Sequence, residues 1–334
     1  MKALCLISYG KILEKNVSFL DIQLDKLKED QVLIDVHCAG INPIDYKIVN
    51  GVAKLFMKPK KPFSLGFDLS GIVIEIGSRV SHFKVGDEVY TKLPWDQMGS
   101  LAERAICPQD MLSIKPRNIS FEEAAGLPLV ASTVLDSFEQ MNIINGSRIL
   151  IHAGSGGIGT FAIQYAKHLG AHVITTCSAS NIELLKTLGA DQVIDYKKTN
   201  YLEHLSDLDF VYDTLGGKYT KEAIKILNPG GTIISIAGHH DNDTLKSIGI
   251  NGTLRYLNDL KGKSLMKACK KKNIRYKHVW SFPNKTKLDL VRELIENENI
   301  RPVNDKCFEF KDAIKALEYL STERAKGKVI VNIK

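Results

Sequence analysis

The stretch that decides the fold runs from Arg148 to Gly159 and reads RILIHAGSGGIG. Its apolar run, Ile149 to Ile151, is typical of a strand that is covered on both faces of a parallel sheet. The residues from Phe161 to Leu169 carry apolar side chains at helical spacing. The stretch therefore predicts a strand, a glycine-rich turn and a helix in direct succession.

The glycines of this turn fit the G-x-G-x-x-G pattern. The first permits a tight turn, the second lets backbone N–H groups approach a pyrophosphate, and the third lets the helix pack against the strand. A helix N-terminus also favours an anionic ligand. We therefore expect a dinucleotide here, and the alternative is a glycine-rich loop without a ligand. The candidate binding residues are Gly154, Ser155, Gly156, Gly157, Ile158 and Gly159.

The composition is that of an ordinary globular protein, with 44% hydrophobic and 25% charged residues. A length of 334 residues exceeds what one core usually supports, so two domains are expected. No apolar run approaches the roughly eighteen residues of a membrane span. The segment Met1 to Ser8 predicts a first strand rather than a signal peptide, because it is short and no cleavage site follows. We therefore expect a cytoplasmic protein without a membrane segment.

The six cysteines are scattered, without a C-x-x-C pair or a Cys/His cluster. This pattern favours reduced thiols, buried as small hydrophobic side chains, and argues against zinc. We therefore expect no metal. The cysteines are Cys5, Cys38, Cys107, Cys177, Cys269 and Cys307.

The residues before Ser120 show short strand-like runs separated by turn signals, which indicates a β-rich unit. Ser120 and Glu123 have the spacing of a capping box and predict the start of a helix. From Gly146 onward, strands and helices alternate, which indicates a parallel, doubly wound sheet. The strands predicted are Ala3–Ile7, Val32–His37, Gly71–Ile76, Asp87–Thr91, Ala105–Cys107, Ala171–Thr176, Gln192–Ile194, Phe210–Tyr212, Thr232–Ile236, Tyr276–Phe282, Phe308–Phe310 and Lys328–Ile333; the later helices are Ile182–Leu188, Lys221–Leu227, Leu288–Ile295 and Asp312–Leu320.

The segment from Asp241 to Tyr276 is strongly basic. It is either a solvated helical face or a site for a polyanion. Lysine-rich faces are common and few aromatic side chains are available here for stacking, which favours the first interpretation and argues against nucleic acid. In that interpretation the lysines alternate with the apolar residues Leu260, Leu265, Met266 and Ala268.

A β-rich unit, a mid-chain fingerprint and a short α/β tail, in that order, resemble the medium-chain dehydrogenase/reductase superfamily. The resemblance implies an α/β fold in which a Rossmann doubly wound parallel sheet is inserted into a GroES-like β-rich catalytic domain. It predicts a catalytic domain at residues 1–124 and 284–334, and a Rossmann NADPH-binding domain at residues 125–283. Besides the fingerprint, the stretches that carry the resemblance are Gly40–Asp45, Gly66–Val73, Phe83–Val89, Leu188–Tyr196 and Asn228–Gly231.

The branch of this superfamily is indicated by missing zinc ligands. In its zinc-dependent alcohol dehydrogenases, a cysteine follows the first Gly-Ile pair and Gly-His-Glu opens the later motif. Here these positions hold Asn42 and Gly66–Asp68, and an amide and a phenyl ring are not zinc ligands. The chain therefore resembles the zinc-free quinone oxidoreductase and enone (alkenal) reductase branch. Hydride transfer to an electron-poor quinone or enone needs chiefly positioning beside the nicotinamide.

The phosphate state of the cofactor follows from charge. An NAD-selective site usually places Asp or Glu near the end of the second strand, where it repels a 2′-phosphate. No acidic residue lies between Gly159 and Glu183. We therefore expect NADPH.

The resemblance places the 2′-phosphate contacts on Ser178, Asn181 and Tyr196. Asn181 stands where relatives usually carry lysine, so the preference for NADPH is weaker than in those relatives, or Lys197 or Lys198 substitutes. Helix capping is the alternative role of Ser178 and Asn181.

The same resemblance gives three catalytic candidates. Asn42 would orient the carboxamide or the substrate carbonyl, and Tyr46 would wall the quinone site and could protonate the product. Asp45 either lines the nicotinamide pocket or holds a turn. Solvent is the alternative proton donor.

Further cofactor contacts are expected from Thr133, Ala237, Gly238 and Lys328. Thr133 lies on the helix before the fingerprint strand, and a plain helix hydroxyl is its alternative role. Lys328 belongs to a tail motif that closes over the nicotinamide in relatives. His152, inside the fingerprint strand, is expected to be a core histidine.

The predicted function is zinc-independent, NADPH-dependent hydride transfer to quinones or α,β-unsaturated carbonyls. A short-chain dehydrogenase is disfavoured because no Tyr-x-x-x-Lys pair occurs. A catalytically weak NADPH-binding protein, resembling crystallins or RNA-binding relatives, is the alternative. By resemblance, the strand Tyr276–Phe282 predicts a homodimer.

Overall fold

The computed structural model describes residues 1–12, 15–55 and 61–334. These residues form two compact units, Met1–Ser132 with Phe282–Lys334, and Thr133–Ser281. None of the described helices has the length and apolarity needed to cross a membrane.

The described residues form the following strands and α-helices. The strands are β1 (Lys2–Leu6), β2 (Val17–Asp21), β3 (Gln31–Ile41), β4 (Phe63–Ser64), β5 (Asp68–Ile76), β6 (Glu88–Lys92), β7 (Arg104–Pro108), β8 (Leu112–Ile114), β9 (Arg148–Ile151), β10 (His172–Cys177), β11 (Gln192–Asp195), β12 (Leu208–Asp213), β13 (Leu227–Ser235), β14 (Arg275–His278), β15 (Asn304–Glu309) and β16 (Lys328–Asn332). The helices are α1 (Pro43–Val49), α2 (Phe121–Ala125), α3 (Pro128–Glu139), α4 (Gly157–His168), α5 (Ile182–Thr187), α6 (Lys218–Ile226), α7 (Asn242–Ser247), α8 (Gly252–Lys271), α9 (Lys285–Glu296) and α10 (Ala313–Ser321).

The first unit is built on two sheets that are mainly antiparallel. A three-stranded sheet has the order β2-β1-β4, and a larger one has the order β15-β16-β3-β5-β6-β8, with β7 also paired to β3. Strand β3 is the longest, and its Cys38–Ile41 half pairs with the C-terminal strand β16. Phe67 and Tyr90 are among the largest fully buried side chains here. Both ends of the chain therefore contribute to one core.

The second unit is a six-stranded parallel sheet with the order β11-β10-β9-β12-β13-β14. In chain order this is 3-2-1-4-5-6, the arrangement of a Rossmann fold. Ile149, Leu150 and Ile151 of β9 are fully buried, which confirms the prediction of a strand covered on both faces. Successive strands are added on one side of β9 as far as β11, and then on its other side from β12 onward. Ligands of such sheets bind at the switch point between β9 and β12.

The cap predicted at Ser120 is confirmed. The Ser120 hydroxyl accepts a hydrogen bond from the Glu123 N–H at 3.2 Å, and the Glu123 carboxylate accepts from the Ser120 N–H at 2.9 Å. The two bonds satisfy donors that a helix N-terminus otherwise leaves open. The cap therefore starts α2.

Several predicted boundaries were wrong. The strand predicted over Tyr276–Phe282 ends at His278, because only Val279 continues the pairing with β13 before Pro283. The helix predicted over Lys221–Leu227 starts at Lys218 and ends at Ile226, since Leu227 already pairs with Leu208. Phe310 begins a 3₁₀ turn rather than ending a strand.

The basic segment contains a helix, α8, as predicted, but its apolar residues divide between two faces. Leu265 is buried, whereas Leu260 and Met266 are exposed. Of the six cysteines, Cys307 is exposed and the other five are buried, and all six are free thiols.

Candidate active site

The glycine-rich turn of the second unit starts where β9 ends. Ala153 adopts a positive φ of 50°, and the Gly154 N–H donates to the Thr176 carbonyl on β10 at 2.9 Å. Gly156 is the N-cap residue of α4. The turn thus connects the central strand of the sheet directly to a helix N-terminus.

The three fingerprint glycines meet different surroundings. A Cβ on Gly154 would lie 2.1 Å from the Thr175 hydroxyl, and one on Gly159 would lie 2.6 Å from the Ala153 carbonyl oxygen. A Cβ on Gly156 would approach nothing closer than that carbonyl oxygen at 3.5 Å. The protein itself therefore requires Gly154 and Gly159, whereas the space beside Gly156 is open. This open space at a helix N-terminus fits the diphosphate of a dinucleotide.

The candidate 2′-phosphate residues meet at the end of β10. The Asn181 amide donates to the Ser178 hydroxyl at 3.4 Å, and the Tyr196 N–H donates to the Cys177 carbonyl at 3.1 Å. Asn181 is buried and the Tyr196 side chain is 56% exposed. The structure therefore brings Ser178, Asn181 and Tyr196 to one edge of the sheet.

An acidic residue outside the interval from Gly159 to Glu183, Asp195, lies at the same edge. Asp195, the last residue of β11, pairs in register with Cys177. Its carboxylate accepts from the Lys197 N–H at 3.1 Å and so caps its own loop. Only the parallel register shows that Asp195 and Cys177 are neighbours, because helix α5 and the rest of strand β11 separate them in the sequence.

The loop that contains Ala237 and Gly238 is held by a buried carboxylate. The Ser235 hydroxyl accepts from the Gly238 N–H at 2.8 Å and donates to Asp213 at 3.1 Å. The Asp213 carboxylate also accepts from the Gly216 N–H at 2.8 Å and from the Thr220 hydroxyl at 2.5 Å. It therefore fixes the loops that follow the neighbouring strands β12 and β13.

His152 is fully buried, as expected of a core histidine, and its Nδ1 lies 3.3 Å from Asp213. Burial alone would raise the pKa of Asp213, but His152, Thr220 and the Gly216 N–H together lower it to about 2. Asp213 was not among the site residues predicted from the sequence. Its position at the end of a buried strand was the available signal.

The candidate residues of the first unit form a buried polar cluster. The Lys328 ammonium donates to the side-chain Oδ1 of Asn42 at 2.5 Å and to the Asp68 carboxylate at 3.2 Å. The Asn42 amide nitrogen donates to Asp68 at 2.9 Å, as does the Leu129 N–H. Asp68 is fully buried and Lys328 is 6% exposed. We call Asn42, Asp68 and Lys328 the ammonium cluster.

Asp68 acts as a hydrogen-bond acceptor to three donors in this arrangement. Burial raises the pKa of its carboxyl, while Lys328, Asn42 and Lys92 oppose that rise. Its two oxygens accept from three donors, which leaves little room for a proton of its own. From the sequence, Asp68 is recognisable only as part of the motif that lacks its zinc ligand.

Asp45 lies beside the ammonium cluster. Its Oδ2 accepts from the Asn42 N–H at 2.7 Å, which caps the start of α1. Its Oδ1 is buried and has no hydrogen-bond partner among the described residues. Burial raises the pKa of Asp45 to about 7. The contact supports the turn-holding alternative, because the carboxylate is already bound to the backbone.

Tyr46 and Thr133 are the remaining candidate residues, and each makes a hydrogen bond within its own unit. The Tyr46 hydroxyl donates to the Glu323 carboxylate at 3.2 Å, and burial, followed by Glu323, raises the pKa of Tyr46 to about 12. Thr133 is buried and opens the second unit, and its carbonyl accepts from the Ser137 hydroxyl at 2.7 Å. Tyr46 is therefore a weaker acid than an ordinary tyrosine.

The ammonium cluster does not fit a zinc ion. The side-chain Oδ1 of Asn42 already accepts from the Lys328 ammonium, and a second cation beside Lys328 would be repelled. Among the described residues, no group of three or more His, Cys, Asp or Glu side chains is arranged to hold a metal.

Comparisons with known proteins agree with the fold. Residues 28–117 match the family described as the alcohol dehydrogenase GroES-like domain, and residues 188–331 match the family described as zinc-binding dehydrogenase. The sequence is 34% identical to a 2-methylene-furan-3-one reductase of Solanum lycopersicum, over 99% of this chain and 79% of the relative. It is also 34% identical, with the same coverage, to the chloroplastic NADPH-dependent alkenal/one oxidoreductase of Arabidopsis thaliana.

Among solved structures, the quinone oxidoreductase from Coxiella burnetii superposes with a TM-score of 0.87 at 32% identity. The match covers 100% of this chain and 99% of that one. Given these relatives, the chain belongs to the zinc-free quinone oxidoreductase and enone reductase branch of the medium-chain dehydrogenase/reductase superfamily.

Proposed function

We propose that this protein is an NADPH-dependent reductase of quinones or α,β-unsaturated carbonyls that works by direct hydride transfer without a metal. The observation that carries the proposal is the ammonium cluster, in which the Lys328 ammonium is bonded to Asn42, the residue that replaces the cysteine of the zinc-dependent motif. The names of the two plant relatives, a furanone reductase and an alkenal/one oxidoreductase, support unsaturated carbonyls as acceptors.

The second unit offers the site for the dinucleotide. The open space beside Gly156 and the N-terminus of α4 would take the diphosphate, and Ser178, Asn181 and Tyr196 would take the 2′-phosphate. Ala237 and Gly238, whose loop is held by the Ser235 hydroxyl, would form another wall of the dinucleotide site. When bound, NADPH supplies the hydride.

Lys328 is the residue that we assign to the carbonyl oxygen of the acceptor. An ammonium group has three N–H bonds, and the described part of the chain provides acceptors for two of them. The third would donate to the oxygen on which negative charge develops, a role that a metal plays in Lewis-acid catalysis. Asn42 and Asp68 are then positioning residues, since they orient the ammonium group. The final proton comes from solvent, because Tyr46 is bonded to Glu323 and has a raised pKa.

A steady-state assay with deuterium at the transferable position of NADPH tests this function. We expect NADPH oxidation only when a quinone or enone is added, with deuterium on the β-carbon of the enone product. Chelators should not change the rate, and elemental analysis should find no stoichiometric zinc. Tight NADPH binding without turnover across a broad acceptor panel would identify a binding protein and refute the proposal.

We also propose the domain roles, the assembly and the compartment. Residues 125–283 are assigned to NADPH binding, and residues 1–124 and 284–334 to catalysis. A homodimer is supported by β14, an edge strand of the six-stranded sheet whose open side can pair with a second copy. A cytoplasmic location is supported by the free thiols. Light scattering and fractionation would check the last two points.

A further inference from the structure

Helix α8 presents a row of side chains that the proposed function does not use. Residues 256, 260, 263, 267 and 271 are spaced by three or four and lie along one line of the helix, since each residue advances about 100°. Leu265 and Cys269, on the opposite side, are buried. The line, which we call the outward row, therefore points away from the core of the second unit.

The first part of the outward row is apolar and exposed. Tyr256 is 64% exposed and Leu260 is 49% exposed, and the flanking Leu257 is also 49% exposed. Large side chains clustered this way on a monomer mark an interaction site rather than ordinary surface. A merely solvated lysine face does not account for them.

The second part of the outward row is basic. Lys263, Lys267 and Lys271 occupy it, and all three are exposed. The whole helix holds six basic residues and one acidic residue, Asp259. The row is thus a short apolar patch that continues into a positive stripe, about 22 Å long in all.

The combination selects among partners. A nucleic acid would use the lysines but leave the leucines exposed, because its contacts are phosphates and stacked bases and the row has one aromatic side chain. A second copy of this chain would bring a further lysine stripe to the same place. An anionic bilayer matches both parts, because leucine and tyrosine enter the headgroup boundary while lysines meet anionic headgroups.

We propose that the outward row of α8 docks this protein on the surface of an anionic lipid bilayer. Tyr256, Leu257 and Leu260 enter the boundary between headgroups and acyl chains. Lys263, Lys267 and Lys271 lie over the anionic headgroups. The helix lies on the membrane and does not span it. This inference stands independently of the proposed enzymatic function.

The test is cosedimentation of the full-length protein with sucrose-loaded vesicles. We expect binding to vesicles of 70% phosphatidylcholine and 30% phosphatidylserine in 0.1 M salt, and loss of binding in 0.5 M salt. The variant K263Q/K267Q should bind about 25-fold more weakly, since each lysine contributes about fivefold near an anionic leaflet. The variant L257Q/L260Q should lose at least about tenfold.

The matched control is K221Q/K225Q, which removes two exposed lysines with the same spacing from α6. It should bind like the unmodified protein. Equal losses in K221Q/K225Q and K263Q/K267Q would mean that net charge alone drives binding, and would overturn the proposal. So would full binding by L257Q/L260Q, which indicates a purely ionic polyanion surface.

Two further results would also overturn it. One is the absence of binding to phosphatidylserine vesicles at low salt. The other is a change from dimer to monomer in L257Q/L260Q by light scattering, which would show that a second copy of the chain covers the row. Circular dichroism of each variant establishes that α8 is still folded.

Discussion

Replacing Lys328 with methionine should destabilise the first unit strongly, because it removes the cation from the ammonium cluster. The Lys328 side chain is 7% exposed and that of Asp68 is fully buried. Methionine has nearly the volume of lysine, so the substitution leaves little cavity. What it leaves instead is a buried carboxylate without its closest positive charge.

The expected cost is about 3 kcal/mol in the free energy of unfolding at pH 7. Removing one partner of a buried ion pair typically costs about 3–5 kcal/mol. The lower end applies because Asp68 keeps the N–H donors of Leu129 and Asn42 and the charge of Lys92. A loss of this size lowers the melting temperature by roughly 6–12 °C in a unit of this size.

The cost should depend on pH. Burial raises the pKa of Asp68 and Lys328 opposes that rise, so the pKa rises further in K328M. A carboxyl group whose pKa is raised by folding costs stability in full above its folded-state pKa, and this cost disappears as the pH falls from there to its unfolded-state pKa. The deficit of K328M should therefore be greatest at neutral pH and shrink as the pH becomes acidic.

Urea unfolding of K328M, of the exposed control K326M and of the double variant D68N/K328M would measure this. K326M should stay within about 0.5 kcal/mol of the unmodified protein. The double variant should be more stable than K328M, because it removes the orphaned charge. A loss below about 1 kcal/mol in K328M, or no recovery in the double variant, would refute the account of the ammonium cluster.

Three further predictions concern the second unit. G156V should abolish NADPH binding in a fluorescence titration, yet its melting temperature should be nearly that of the unmodified protein. G159A should lower the melting temperature, because its Cβ would lie 2.6 Å from backbone atoms. Retained NADPH affinity in G156V would contradict the diphosphate assignment. Asp213, with a pKa of about 2, should contribute about 2.5 kcal/mol of stability above pH 4, and this contribution is lost as the pH falls towards 2. The difference in unfolding free energy between D213N and the unmodified protein should therefore narrow over that range. A constant difference would exclude ionisation of Asp213 as its cause. N181K should raise the ratio of NADH to NADPH dissociation constants about tenfold, by adding a cation beside Ser178; an unchanged ratio would place the 2′-phosphate elsewhere.

The architecture of the second unit was predictable because its signals are local. The fingerprint and the alternation of strands and helices occupy short windows, and the 3-2-1-4-5-6 order follows from them by the usual rules of connection. The end of β14 was not predictable, because the pairing with β13 stops after Val279 although the apolar residues Trp280 and Phe282 follow in the sequence.

The ammonium cluster was only half predictable. Asn42 and Lys328 were singled out separately, but Lys328 is bonded to Asp68, which lies 260 residues away in sequence. No periodicity or motif spacing connects such residues, since the pairing of β16 with β3 creates the contact. For helix α8, the sequence predicts the helix but not which of its faces is buried. It has apolar side chains on both faces, and only the packed structure tells that Leu265 is covered and Leu260 is not.

The pairing of β16 with β3 also sets an order on synthesis at the ribosome. The second unit is complete once Ser281 has been translated, whereas Asp68 waits for Lys328, made near the end of the chain. Domains that are complete usually fold first during translation. The nascent chain can therefore close its nucleotide sheet while its own N-terminal residues are still unfolded and in need of protection.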